Sequence, residues 1–174
     1  PTALGNEETG DLEAAIEDGA VKAAQAEWFS AQLDLAVETG LNVVIHQRGE
    51  CRAETRAILE PYTGKLKAVF HCFTGTPEEA EEWRTMGHLV SFTGIVTFKS
   101  AETVHRTAAS VPAGSYMVET DCPFLAPVPY RGKRCEPAYT RQTAERVATL
   151  RGETVEAVTR ETTATAEAFF RLHP

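Results

Sequence analysis

Nowhere does this chain approach the roughly 18–20 uninterrupted apolar residues that a membrane span requires. Its opening residues, PTALGNEETG, carry neither the basic stretch nor the apolar stretch of a leader peptide. A cytoplasmic protein without membrane contact is the expectation. Positive charge is also scarce: 17 Lys and Arg against 25 Asp and Glu leave a formal charge of −8. That balance argues against a broad basic surface that wraps duplex nucleic acid, because such binding displaces counterions with many cations. A confined site for a phosphate ester stays open. The four cysteines, Cys51, Cys72, Cys122 and Cys135, have no CxxC spacing. Free thiols are therefore expected rather than a structural zinc cluster or a disulfide framework. A GxSxG elbow is missing too, and Ser91 and Ser115 lie inside strand-like runs, which weighs against a Ser–His–Asp nucleophile.

What is present is ordinary globular material, 43% apolar and 24% charged over 174 residues, enough for one domain with a real core. Residues 11–40 read as a helix, with Val21, Ala24, Trp28, Ala31 and Leu35 at alternating steps of three and four on one face. Gly40 supplies the stop. NVVIH then reads as a strand buried on both faces.

The unit repeats. A short helix at about 50–59 ends at Pro61, and KAVFH makes a second strand. Thr76-Pro77-Glu78-Glu79 opens the next helix with a cap, a proline at the first helical position and acid in the first turn. Gly87 closes it before HLVSF, a third strand; Ser100 caps a segment that stops near Val111-Pro112, and SYMVETD is the fourth strand. Strands alternating with helices over short links predict an α/β fold with a parallel sheet. The stretch 122–137 breaks the rhythm with four of the nine prolines and reads as a long functional loop. Two helices, about 138–150 and 155–172, finish the chain.

His46, His71 and Asp121 each end one of these strands, the place where parallel α/β sheets and barrels put active-site groups. Imidazole nitrogen with carboxylate oxygen suits a divalent ion such as Zn, Mn or Mg, which acidifies water and polarises a phosphoryl or carbonyl oxygen. Glu119, two residues before Asp121, shares its strand face. A catalytic role beside Asp121, organising solvent or supporting a ligand, stands against a plain interior polar group.

The strings VVIHQR, VFHCFTGT, VSFTGIVTFK and VETDCPFLAP, followed by RCEP, resemble the successive strand-end motifs of the TatD family of metal-dependent deoxyribonucleases, amidohydrolase-like (βα)8-barrel hydrolases. The resemblance runs in order from about residue 3 to the C-terminus. It implies that His46 and His71 are the family's two later ligand histidines, and that Asp121 both ligates metal and holds or deprotonates the attacking water. The family's bridging glutamate falls on Glu8 within ALGNEETGDL, with Glu7 as the alternative. Two ions are implied in the complete protein.

No HxH motif precedes Glu8. A single domain over 1–174 is therefore expected, N-terminally truncated relative to the family, of α/β TIM-barrel type but incomplete, holding about strands four or five to eight. Self-association would cover its open edge. The implied substrate is DNA, at ends or as single strands. Arg48, Arg131, Lys133 and Arg134 are candidates for phosphate contact, and Phe73 and Phe124 for base stacking, with core packing the alternative for either. Cys135-Glu136-Pro137 resembles the family's Asn-Glu-Pro, with Cys in place of the amide. Two other readings stand beside the nuclease: a non-catalytic remnant or interaction module that lost the HxH ligands, and a barrel hydrolase acting on an ester or amide.

Overall fold

The computed structural model describes residues 5–172, with side chains from residue 19 onward. Four short parallel strands form one sheet in sequence order: β1 (Val43–Ile45), β2 (Ala68–Phe70), β3 (Leu89–Phe92) and β4 (Tyr116–Val118). Helices α2 (Arg52–Leu59), α3 (Pro77–Thr85) and α4 (Glu102–Ser110) make the three crossovers. The long α1 (Gly5–Thr39) precedes the sheet, and α5 (Thr140–Arg151) and α6 (Val155–Phe170) follow it. Among the described residues no helix is long and apolar enough to cross a membrane.

The expected incomplete (βα)8-type barrel, entered at strand four or five, is corrected. The fold seen is an α/β layer structure on four strands, and the segment expected to end a strand at Glu8 is helical backbone of α1. The physical reason lies in its composition. ALGNEETGDLEAA has no β-branched apolar run, and it is rich in Ala, Leu and Glu, which lose little on entering a helix.

Alternation along each strand divides the sheet into two faces. Ala68, Phe70, Val90, Phe92 and Tyr116 belong to the main core, and Phe70 stacks on Trp83 of α3 at 4.1 Å between ring centroids. The opposite face carries Val69, Leu89 and Met117, covered by Phe169 of α6. Helix α3 starts as its sequence predicts. Thr76 accepts from the Glu79 amide at 3.3 Å, and the Glu79 carboxylate accepts from the Thr76 amide at 2.9 Å, a reciprocal cap. Ser100 does not cap α4, whose cap position is Ala101.

α1 buries a different stripe from the one its periodicity suggests. Val21, Trp28 and Leu35 are 49%, 71% and 58% exposed, whereas Leu33 and Ala36 are buried and Phe29 packs on the core. Two apolar stripes run along this helix, and spacing alone does not choose between them. Tertiary contacts do: Tyr62 donates to Asp34 at 2.7 Å and to the Ser30 carbonyl at 3.2 Å, turning the Phe29–Leu33–Ala36 side inward.

Candidate metal centre

The strands stop short of the residues that matter chemically. β1 ends at Ile45 and β2 at Phe70, so His46 and His71 follow directly, while Asp121 lies three residues beyond the end of β4. Pairing continues past the strand ends: the His71 amide donates to the Ile45 carbonyl at 2.9 Å, that of Phe73 to Ser91 at 2.9 Å, and that of Glu119 to Phe92 at 3.0 Å. Period-two placement puts His71 two residues after Val69, Ser91 two after Leu89, and Glu119 two after Met117. The apolar face that meets Phe169 thus becomes polar at its C-terminal end.

Glu119 is the hub of that end. Its carboxylate accepts from His71 Nδ1 at 2.7 and 2.8 Å, from the Cys72 amide at 2.9 Å, and from the Ser91 hydroxyl. Cys72 adopts a left-handed backbone, φ 51°, which a side chain rarely takes without compensation and which aims its amide at Glu119. Its sulfur lies 3.2 Å from the Thr93 hydroxyl. Burial pushes the Cys72 thiol up, and the nearby Asp121 and Glu119 carboxylates add to this against the lowering by the Thr93 hydrogen bond. The group therefore stays a thiol rather than a nucleophilic thiolate.

With Nδ1 taken by Glu119, the other nitrogen of His71 faces Asp121, Nε2 to Oδ1 at 3.4 Å. Two ligands at roughly 2.0–2.1 Å from one tetrahedral ion lie about 3.3–3.4 Å apart. The pair therefore has the chemistry and the separation of two corners of a divalent site. His46 stands nearby with its ring centroid 5.6 Å from that of His71, on an exposed side chain. Among the described residues no three His, Cys, Asp or Glu side chains are gathered tightly enough to enclose an ion. The donor set fits an ion at His71 and Asp121, with His46 as the adjacent imidazole. Glu7 and Glu8 fall within the backbone of α1, and their side chains lie outside the described residues.

The other expected residues are placed unevenly. Phe73 is corrected: it is 8% exposed and part of the main core, so it packs under the strand ends instead of offering a base a stacking face. Phe124 is 67% exposed. Arg48, Lys133 and Arg134 are exposed on the segments after β1 and β4, and the Arg131 guanidinium lies 3.6 Å from the Phe98 ring centroid. Cys135 is buried, its amide donating to the Pro123 carbonyl at 3.0 Å, while Glu136 is exposed. Ser91 and Thr93 were not singled out by motif. The signal that could have found Ser91 is period two: it lies two after apolar Leu89, on the face that carries Met117 and Glu119 on the next strand.

A family model described as "TatD related DNase" matches residues 8–171. The chain belongs to that family. The match spans nearly the whole chain and overturns its reading as an incomplete barrel. Relatives include the "uncharacterized metal-dependent hydrolase YabD" of Bacillus subtilis, 38% identical over 90% of this chain and 61% of that protein. The "uncharacterized metal-dependent hydrolase YcfH" of Escherichia coli K12 is 42% identical over 82% of this chain and 54% of its own length. A "3'-5' ssDNA/RNA exonuclease TatD" of Pantoea vagans is 37% identical over 83% and 57%. The chain thus spans between about half and three-fifths of the length of these relatives. The crystal structure of YJJV, a TatD homologue of Escherichia coli, superposes with TM-score 0.75 at 23% identity, over 82% of this chain and 54% of that one. That likeness shows a shared fold.

Proposed function

We propose that this TatD-family chain is a single metal-dependent hydrolase domain that cleaves DNA phosphodiester bonds at ends or in single strands. The carrying observation is the His71–Asp121 pair at 3.4 Å, with the far nitrogen of His71 tied to Glu119. The names of the relatives, metal-dependent hydrolases and a 3'-5' ssDNA/RNA exonuclease, support the same reading.

His46, His71 and Asp121 would hold a divalent ion, with Glu8 as the further ligand that the family motif implies. Such an ion supplies positive charge that acidifies water and offsets charge building on phosphoryl oxygens. The protein's own groups do the rest. Asp121 orients the attacking water and accepts its proton. Glu119, held by its three donors, supports His71 rather than transferring a proton itself. Arg48, Arg131, Lys133 and Arg134 contact the phosphate chain, and Phe124 offers a stacking face to an unpaired base.

The test is nucleotide release from linear and circular single-stranded DNA, with Mn2+ and with chelator. Metal-dependent release from linear DNA is expected, and the circular substrate separates action at ends, which spares it, from action within single strands, which does not. Absence of release under every metal condition, or release indifferent to chelator, would sink the proposal.

A further inference from the structure

Ser91 has no part in the proposed reaction, yet it is 3% exposed and its hydroxyl is committed to the Glu119 carboxylate. The same carboxylate receives the Cys72 amide at 2.9 Å and both of its oxygens lie within 2.8 Å of His71 Nδ1. Three donors from two chain segments, the His71-Cys72 turn and β3, therefore converge on one carboxylate. A carboxylate held this way cannot rotate away, and as an acceptor it demands a proton from its histidine partner. The consequence falls on the other side of the ring. A neutral imidazole has one N–H, so a proton at Nδ1 leaves Nε2 with a bare lone pair, and Nε2 is the atom facing Asp121 at 3.4 Å.

We infer that Ser91 and Glu119 are positioning residues that lock His71 in the Nδ1–H tautomer and so prepare Nε2 as a ligand. Its bearing on metal rests on the metal-centre reading; the tautomer itself does not. Cys72 completes the device through its backbone alone, because the left-handed turn there delivers the amide. Ser91 thus has a role that its place inside a strand conceals. A serine hydroxyl in a β-strand is ordinarily satisfied by a carbonyl, and here the Phe70 carbonyl stands only at 3.4 Å.

The tautomer is read directly by long-range 15N–1H correlation spectra of the metal-free chain, with Ser91→Ala, Ser91→Thr and Glu119→Gln compared with the parent. Recorded at a pH high enough for the ring to be neutral, the parent is expected to show protonated Nδ1 and bare Nε2 at His71. Ser91→Ala should show a visible fraction of the opposite tautomer and Glu119→Gln a larger one, with Ser91→Thr restoring the parent pattern. The Trp83 indole resonance confirms that each variant is folded.

Mn2+ binding, followed by the loss of free-ion electron paramagnetic resonance signal, should weaken by about 10- to 100-fold in Glu119→Gln, the scale of partners that orient metal-binding histidines, and by less in Ser91→Ala, which acts through Glu119. A parent with bare Nδ1, or a Ser91→Ala spectrum identical to the parent, overturns the inference. A parent that shows the locked tautomer but binds no Mn2+ supports the positioning role and removes the metal-centre reading instead.

Discussion

The two faces of the sheet are built from the same strands, one residue out of step, and they do opposite work. On one side Phe70, Phe92 and Tyr116 are almost fully buried in one core with Trp83, and the packing continues to the end of every strand. On the other side Val69, Leu89 and Met117 form a thin apolar patch under Phe169 that gives way to His71, Ser91, Glu119 and Asp121. Continuous apolar burial gives rigidity on the first face. That rigidity lets the second face hold carboxylates and imidazoles at fixed separations without spending its own surface on packing.

If that division holds, damage to each face should have a separate signature. Trp83→Ala, on the packed face, is expected to cost about 3–5 kcal/mol of stability by leaving a cavity beside Phe70. Chemical denaturation measures it, and a loss below 1 kcal/mol would mean the stack carries little. Asp121→Asn acts on the other face. Metal-dependent DNA cleavage should fall at least about 100-fold while the denaturation midpoint barely moves; near-normal turnover would remove Asp121 from the chemistry.

A third variant tests how the loop after β4 is anchored to the sheet end. A Cβ at Gly94 would overlap the Leu125 carbonyl oxygen and sit 2.9 Å from Pro127 N, both backbone atoms. Gly94→Ala should therefore displace the loop, costing about 1–3 kcal/mol and lowering DNA affinity more than fold content. Unchanged DNA binding and stability would show that the loop adapts freely.

The smallest effect contrasts the two histidines. His88, at the opposite end of the sheet from His71, is 2% exposed, and its Nδ1 accepts from the Ala68 amide at 3.2 Å. Burial holds its pKa below the usual value, so it is neutral in the fold. The unfolded chain takes up a proton first as pH falls below about 6.5. Stability is therefore full above that pH and declines below it, until the folded state also protonates. His88→Gln should flatten this acid-side slope between pH 7 and 5 in urea melts, and an unchanged slope would assign it to other groups.

Much of this was readable beforehand, for physical reasons. Short apolar runs set off by glycine or proline turns marked all four strands, Thr76-Pro77-Glu78-Glu79 marked the start of α3 through purely local bonds, and His46, His71 and Asp121 were conspicuous as polar residues at the ends of those runs. Site chemistry spread across strands was less legible. Ser91 reads as strand polarity until the neighbouring strand brings the Glu119 carboxylate to its hydroxyl, and Phe73 reads equally as a stacking face or a core residue until the turn at Cys72 folds it into the core.

The sequence by itself determined the order of strands and helices, the capped start of α3 and the residue types at the strand ends, since each depends on neighbours a few positions away. Only the tertiary structure decided which stripe of α1 is buried and that Glu119 clasps His71 so that Nε2 faces Asp121. Those outcomes depend on contacts between segments far apart along the chain, where periodicity and local propensity carry no information.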